Sequence, residues 1–250
     1  MYNTNDLRVT LLNKEEVSQF IKNHGIISCI CYDTNDKYAE KVGWSCLNEG
    51  HTSGSRGDFF KFEIECPRYT ADQIMRHEVG TFKNCQSQRY VDMDDNFEIY
   101  APTKVYLDPE LAAIYRKYEE NCKKQYKEIR ELFNEKGIKG EKANDLMRTM
   151  LPIGVKTKLR MGFTIEALIN FMGKRLCIRA DAPIREIATL MRVAILEVEP
   201  RYEKLLVPQC ESKLYCPEKH SCGYYPTREE LENIIEIGYD TILEVKKEEK

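Results

Sequence analysis

Between Gln73 and Tyr90 the run QIMRHEVGTFKNCQSQRY gathers Arg76, His77, Lys83, Asn84, Gln86, Ser87, Gln88 and Arg89 into one short stretch. Two guanidinium groups flanking a serine and several amides suit an anion, because guanidinium binds phosphate bidentately and a hydroxyl or backbone N–H completes the cradle. Asn and Gln can read the edge of a planar heterocycle through paired donor and acceptor atoms. A solvated helix-to-loop segment has the same composition, so this stretch alone leaves both readings open. A second basic group lies downstream. Arg148 precedes Thr149–Pro152, and Arg175 and Arg179 stand four apart in NFMGKRLCIR, which on a helix puts them on one face. Two arginines among Phe171, Leu176 and Ile178 are costly to bury without an anionic partner. The competing reading is a pair of internal salt bridges to Glu186 or Asp181.

These side chains need a scaffold, and the chain has the material for one. Its 250 residues are 42% hydrophobic and 32% charged, with a formal net charge of −3 and a pI near 6.0. That composition reads as an ordinary globular protein able to bury a core. The balance of charge gives no support for nucleic-acid binding or a polybasic membrane patch. No run approaches the roughly 18 apolar residues of a bilayer span. The N-terminus lacks the charged-then-apolar layout of a signal peptide, so the expected location is the cytoplasm. Without repeats, low-complexity tracts or Gly/Ser linkers, one domain over 1–250 is expected.

Local patterns predict the elements. Leu7–Leu12 reads as a first strand, and Lys14–Asn23 as a helix ended by Gly25. Asp58–Glu65 alternates with period two, with Phe59 and the Phe62/Ile64 face available to a core. A helix is predicted from Thr70, with Ala71, Ile74, Met75 and Val79 on its apolar side. Arg89–Val91 and Phe97–Tyr100 could pair as a hairpin across Asp92–Asn96. Pro109–Lys136 is the strongest helical segment, its stripe of Leu111, Tyr115, Tyr118, Cys122, Tyr126, Ile129 and Phe133 facing a core or another subunit. Further helices are predicted at Glu141–Met150, Ile165–Lys174, Ile184–Val198 and Glu229–Lys247. Many helices with a few early strands argue for an α+β fold.

Ordered motifs across these segments carry a resemblance. Arg76-His77 followed by Ser87-Gln88-Arg89-Tyr90 resembles the R-H-R … S-x-R-Y hallmark of the flavin-dependent thymidylate synthases, the ThyX family. The likeness continues in Arg148–Pro152, in Leu168–Phe171 and in Arg175–Ala188, which follows the family's R-x-x-x-[R/H]-A-Q-W-E-I-R-x-L-A register. The opening LRVTLL and Gly50-His51 also sit where the family has comparable segments. Coverage runs from about residue 7 to about residue 205. Departures are present too. Glu78 replaces the second motif Arg, and eight residues rather than seven separate it from Ser87. Cys85 falls where many members have Glu, Asp181-Ala182-Pro183 replaces Gln-Trp-Glu, and Thr164 replaces Asn.

The resemblance implies a ThyX-like fold, with a small antiparallel sheet and several long helices, in a homotetramer whose sites combine residues of several subunits. It implies FAD as cofactor, with NADPH and methylenetetrahydrofolate as co-substrates, and methylation of dUMP to dTMP without an enzymic cysteine attacking the pyrimidine. By motif, Gln73, Arg76, Gln86, Ser87, Gln88, Arg89, Arg148 and Arg175 would hold dUMP. Arg175 would also act catalytically by polarising the uracil ring. Ser53, Arg76, His77, Glu78, Asn84, Asn170 and Arg179 would line FAD. The departures leave room for a homologue modifying another pyrimidine nucleotide, or for a non-catalytic nucleotide-binding protein.

Ten cysteines in a reducing compartment read as packed thiols, metal ligands or redox groups rather than disulfides. Cys85 could in principle attack uracil C6, but no activating base is evident beside it and it reads as a small filler. His77 as a catalytic base is set against a stacking or hydrogen-bonding role. Beyond the family core, Cys210, Cys216, His220 and Cys222 are candidates for a tetrahedral zinc site. Their spacing is not that of CxxC pairs, and free or locally paired thiols are the favoured reading, with an iron–sulfur cluster a further alternative.

Overall fold

The alternation of Phe, Ile and Glu after Asp58 builds the centre of the fold. In the computed structural model, which describes residues 2–4, 7–93 and 97–235, five strands form one antiparallel sheet. They are β1 (Tyr2–Thr4), β2 (Leu7–Leu11), β3 (Phe60–Pro67), β4 (Thr81–Cys85) and β5 (Lys156–Phe163), in the order β1-β2-β3-β5-β4. Register follows burial, with Val9 opposite Ile64 and Ile64 opposite Leu159. Leu7, Val9, Leu11, Phe60, Phe62, Ile64, Leu159, Met161 and Phe163 are all buried on one face. The other face is charged and satisfied across strands: Arg8 pairs with Glu65 at 3.8 Å, and Arg160 with Glu63 at 2.8 Å. One covered face and one wet face is the usual state of an antiparallel sheet.

Ten helices are described: α1 (Lys14–Val17), α2 (Phe20–Cys29), α3 (Ala39–Asn48), α4 (Arg68–Met75), α5 (Thr103–Tyr106), α6 (Pro109–Glu135), α7 (Glu141–Met147), α8 (Ile165–Arg175), α9 (Ala182–Leu196) and α10 (Gln209–Lys213). A further helical stretch covers 228–235, and the rest of the predicted Glu229–Lys247 helix lies outside the described residues. Helix α9 covers the sheet with Ile184, Ile187, Ala188, Met191, Ala194 and Ile195, a 3–4 spacing that leaves none of them exposed. Leu168, Phe171 and Met172 of α8 join the same core. A smaller cluster of Phe97, Ile99, Tyr126, Met147 and Val155 lies under α6 and α7. Among the described residues no helix is long and apolar enough to cross a membrane.

The fold is α+β, with the small antiparallel sheet expected, and several local expectations are corrected. Leu7–Leu11 is the second strand. The chain does not stop at Gly25; α2 runs through it because α3 crosses there. A Cβ on Gly25 would lie 1.6 Å from the Ala39 carbonyl oxygen, and one on Gly43 would lie 2.0 Å from that of Ile21. Phe59 is half-buried against the Phe82 ring at 5.2 Å, while Phe60 takes the core position. The helix from Arg68 ends at Met75, leaving Val79 92% exposed. Residues 89–91 form a turn and not a hairpin arm, and Ile99 pairs with Val155. Strands β4 and β5 were not anticipated. Phe82 lies over Gly162 of β5, where a Cβ would meet the ring at 2.1 Å.

Helix α6 matches its prediction closely. Asp108 caps it by accepting from the Glu110 and Leu111 N–H groups, with Pro109 in the first turn. Its stripe divides in two. Tyr126, Cys122, Ile129 and Phe133 pack inward, whereas Leu111, Tyr115 and Tyr118 remain exposed, as does Ile114, which lies outside the predicted stripe.

Candidate functional site

One group of cations assembles around His77. The side chain follows α4 and lies edge-on to Phe171 of α8, with ring centroids 4.9 Å apart. The Arg175 Nε–H donates to His77 Nε2 at 3.1 Å. Arginine has no lone pair to offer, so Nε2 must be the acceptor and the imidazole is neutral. Burial holds the His77 pKa down at about 4, assisted by the charges of Arg175, Lys174 and Lys83. Arg175 is itself pushed below its ordinary range, by burial first and then by Arg76. Among the described residues no ion pair joins Arg175 or Arg179 to Asp181. The two arginines do not share a helix face either, because α8 ends at Arg175 and Arg179 lies exposed in the following turn.

The loop from His77 to Thr81 is fixed against the start of α8. Thr164 caps that helix by accepting from the Ala167 N–H at 3.3 Å, and its own N–H donates to the Gly80 carbonyl at 2.9 Å. Gly80 has φ +70, and a Cβ there would sit 2.6 Å from Thr164 Oγ1. The Thr81 hydroxyl donates to the His77 carbonyl at 2.7 Å. The Lys83 ammonium donates to the Met75 carbonyl and pairs with Glu78 at 3.5 Å. Sequence reasoning placed Glu78 at the flavin; here its carboxylate faces solvent and meets Lys83. Lys83 belongs to the polar stretch read with Arg76 and His77, Phe171 was named only beside Arg175, and Lys174 was not singled out. The period of α8, with Phe171 and Arg175 four apart, is the signal that could have found Phe171.

A second group lies beyond the other end of β4. Ser87 Oγ accepts from the N–H groups of Arg89 and Tyr90 at 3.2 and 3.4 Å, which leaves its O–H free to donate. Arg89 pairs with Glu141 at 2.6 Å and Arg148 with Asp145 at 2.9 Å, so the two arginines bracket α7. Arg89, Lys139, Glu141, Lys142 and Asp145 line an open pocket of about 470 Å³. Four cations (with Arg148) face two carboxylates there, a local excess suited to an anion. The chain thus brings Arg89 and Arg148 to one place, and Arg76, His77 and Arg175 to another.

The remaining candidates are distributed around these groups. Gln73 is half-buried on α4, and Gln88 is half-buried in the turn after Ser87. Gln86 donates its N–H to the Lys158 carbonyl at 2.8 Å and borders a hollow with Lys156 and Glu98, apart from Arg89. Asn84 is exposed on β4 and Asn170 on α8. Ser53 begins a single 3-10 turn whose neighbour Thr52 donates to Glu166 in the first turn of α8. Cys85 packs against the core, its sulfur accepting from Arg68 at 3.3 Å and touching Thr157 Oγ1 at 3.6 Å.

Of the tail candidates, Cys210, Cys216 and Cys222 line a pocket of about 460 Å³ together with Cys177, which sequence reasoning passed over, while His220 is exposed elsewhere. Among the described residues no three His, Cys, Asp or Glu side chains are arranged to hold a single metal ion. The tetrahedral site with His220 is therefore not present. All ten cysteines are free thiols.

Fold and site together define an α+β protein with two anion-seeking cation groups joined by one edge strand. A family model described as thymidylate synthase complementing protein matches residues 15–201. A flavin-dependent thymidylate synthase from Nitratidesulfovibrio vulgaris is 32% identical over 190 residues, covering 75% of this chain and 77% of that protein. One from Pyrococcus furiosus is 34% identical over 180 residues, covering 69% and 70%. The chain belongs to this family, the flavin-dependent thymidylate synthases. Its fold is similar to that of a solved UMP/dUMP methylase, PolB from Streptomyces cacaoi, with a TM-score of 0.57 at 17% identity, covering 79% of this chain and 93% of that one.

Proposed function

We propose that the protein converts dUMP to dTMP as an FAD-dependent thymidylate synthase, with methylenetetrahydrofolate as carbon donor and NADPH as reductant. The observation that carries this reading is the cation group around a neutral His77. Arg76, Lys83, Lys174 and Arg175 converge there, with the Glu78 carboxylate paired to Lys83. Such an excess fits the phosphates of a bound flavin nucleotide, and Glu78 does not occupy Arg76. Arg76, His77, Asn84, Asn170, Arg179 and Ser53 would hold FAD, with Glu78 at its margin. When bound, the flavin supplies the hydride chemistry that carries a one-carbon unit to the methyl level.

The chain's own contribution is positioning and charge. Ser87, Arg89 and Arg148 would seat the dUMP phosphate, with Gln88 beside it; Gln73 and Arg76, at the other end of β4, would reach the same nucleotide from a neighbouring copy, and Gln86 lies apart from both. Arg175, aimed by its bond to His77, would stabilise negative charge developing on the uracil ring. His77 is spent on that bond, which argues against a role as general base. PolB, a structure solved with 5-Br dUMP bound, supports a pyrimidine nucleotide as substrate class by its shared fold. The separation of Arg89 and Arg148 from Arg175 within one chain supports a site completed between subunits of a homotetramer, as does the exposed half of the α6 stripe.

The test is a visible spectrum after loading with FAD and desalting, with and without dUMP, followed by mass-spectrometric detection of dTMP when both co-substrates are added. A retained flavin that shifts with dUMP, with dTMP formed, is expected. Retained flavin and bound dUMP without dTMP would overturn the synthase reading in favour of another pyrimidine nucleotide.

A further inference from the structure

From Pro208 to residue 235 the chain has almost nothing to fold around. Cys216 is the single buried residue between 208 and 235. Yet the segment takes a definite path. Helix α10 presses on α8 so closely that a Cβ on Gly173 would meet Gln209 at 3.0 Å. The Cys216 N–H donates to the Pro226 carbonyl at 2.6 Å, and Cys216 bridges to Thr227. Gly223, at φ +82, turns the chain beside Cys222 with its N–H on Ser221 Oγ at 3.0 Å. A coreless segment holding a fixed course is the situation in which small folds rely on a metal or a disulfide staple.

Four thiols gather along one hollow at this point. Cys210, Cys216 and Cys222 stand six residues apart, and a fourth sulfur comes from Cys177, in the turn that ends α8. All four line one pocket of about 460 Å³, walled by Leu176, Ile178, Pro208, Tyr224 and Tyr225. Arg179 also borders it, a cation beside four groups that become anionic when they bind metal. A single zinc ion would draw its sulfurs to about 3.8 Å from one another, given Zn–S bonds of about 2.3 Å. No three side chains converge on a single ion position here. An iron–sulfur cluster of the four-iron type makes a different demand, since each cysteine binds its own iron and the sulfurs stand around a body.

We infer that Cys177, Cys210, Cys216 and Cys222 hold a four-iron iron–sulfur cluster that fastens the segment after Pro208 to the end of α8. That placement sets the cluster two residues from Arg175 along the chain, so it would also brace the turn carrying Arg175 and Arg179.

The test is metal and sulfide analysis of the full chain purified without oxygen, before and after reconstitution with ferrous iron and sulfide. About four irons and four acid-labile sulfides per chain are expected, with a low-temperature EPR signal on dithionite reduction that a flavin does not give. Cys222→Ser and Cys177→Ser should each lower bound iron at least two-fold. Cys31→Ser, an exposed thiol outside the pocket, should not. Because Cys222 is exposed, its variant tests the site without disturbing a buried position. One zinc per chain without iron, disulfides among the four, or iron unaffected by either pocket variant would overturn the inference.

Discussion

Arg175 is all donor, so its bond to His77 Nε2 leaves the imidazole proton on Nδ1 and keeps the ring neutral at any pH where the bond survives. The linkage has a definite sign. The folded His77 titrates at about 4 against an ordinary 6.5, so within that window the unfolded chain binds a proton that the folded chain refuses. The His77 contribution is therefore level above pH 6.5 and turns destabilising as pH drops towards 4. Urea midpoints taken across this range should show that slope, and His77→Gln should flatten it. His24, also pushed down by burial, contributes to both proteins and cancels in the comparison. A slope unchanged in the variant would mean that His77 is not the group refusing the proton. Arg175 and Ser87 differ in what they put at stake. Arg175→Ala removes a charged donor and should weaken dUMP binding on the order of 100-fold with an unchanged circular dichroism spectrum. Ser87→Ala removes one neutral hydrogen bond and should cost about ten-fold, with turnover retained. Calorimetric titration of both variants with dUMP checks the ranking.

At the scale of elements, the crossing of α2 and α3 depends on two absent methyl groups. Gly25→Ala would drive a Cβ into the Ala39 carbonyl, and the helices must part; a loss of about 3 kcal/mol is expected, the upper end for overpacking. Gly57→Ala, with nothing within 4 Å of its Cβ, should be neutral or slightly stabilising, and denaturant midpoints of the two variants measure the contrast. The same crossing shows where local reading stops. A glycine late in a helical pattern signals an end, and only the helix lying across it reveals that the glycine is an interior necessity. Strand β5 went unread for a related reason. Leu159, Met161 and Phe163 alternate as β3 does, but the outward Arg160 finds its partner Glu63 at a distance of 97 residues in sequence. What was legible was periodic and locally capped: β3, α6 with Asp108 and Pro109, α8 and α9. The polar clusters at 76–77 and 87–89 were legible as anion-seeking. Their division into two groups was not, because it is set by β4, a five-residue strand without an apolar pattern of its own.

At the scale of the molecule, the outer half of α6 presents Leu111, Ile114, Tyr115 and Tyr118 to solvent in this chain. If that stripe joins subunits, Tyr118→Glu should lower the mass measured by light scattering and remove dTMP formation together, since the proposed site needs both cation groups from different copies. Full mass in the variant would move the interface elsewhere. Within one chain, β4 ties the two groups together over roughly 17 Å, and its alignment hangs on Phe82 resting over Gly162. The absent side chain on β5 thus works as a gauge stop, setting how far the strand beside it can settle. A methyl group at that point would displace both ends of β4 together. Gly162→Ala should for that reason degrade FAD and dUMP binding by similar factors, a common-mode fault, whereas a defect in Ser87 is heard on one channel only.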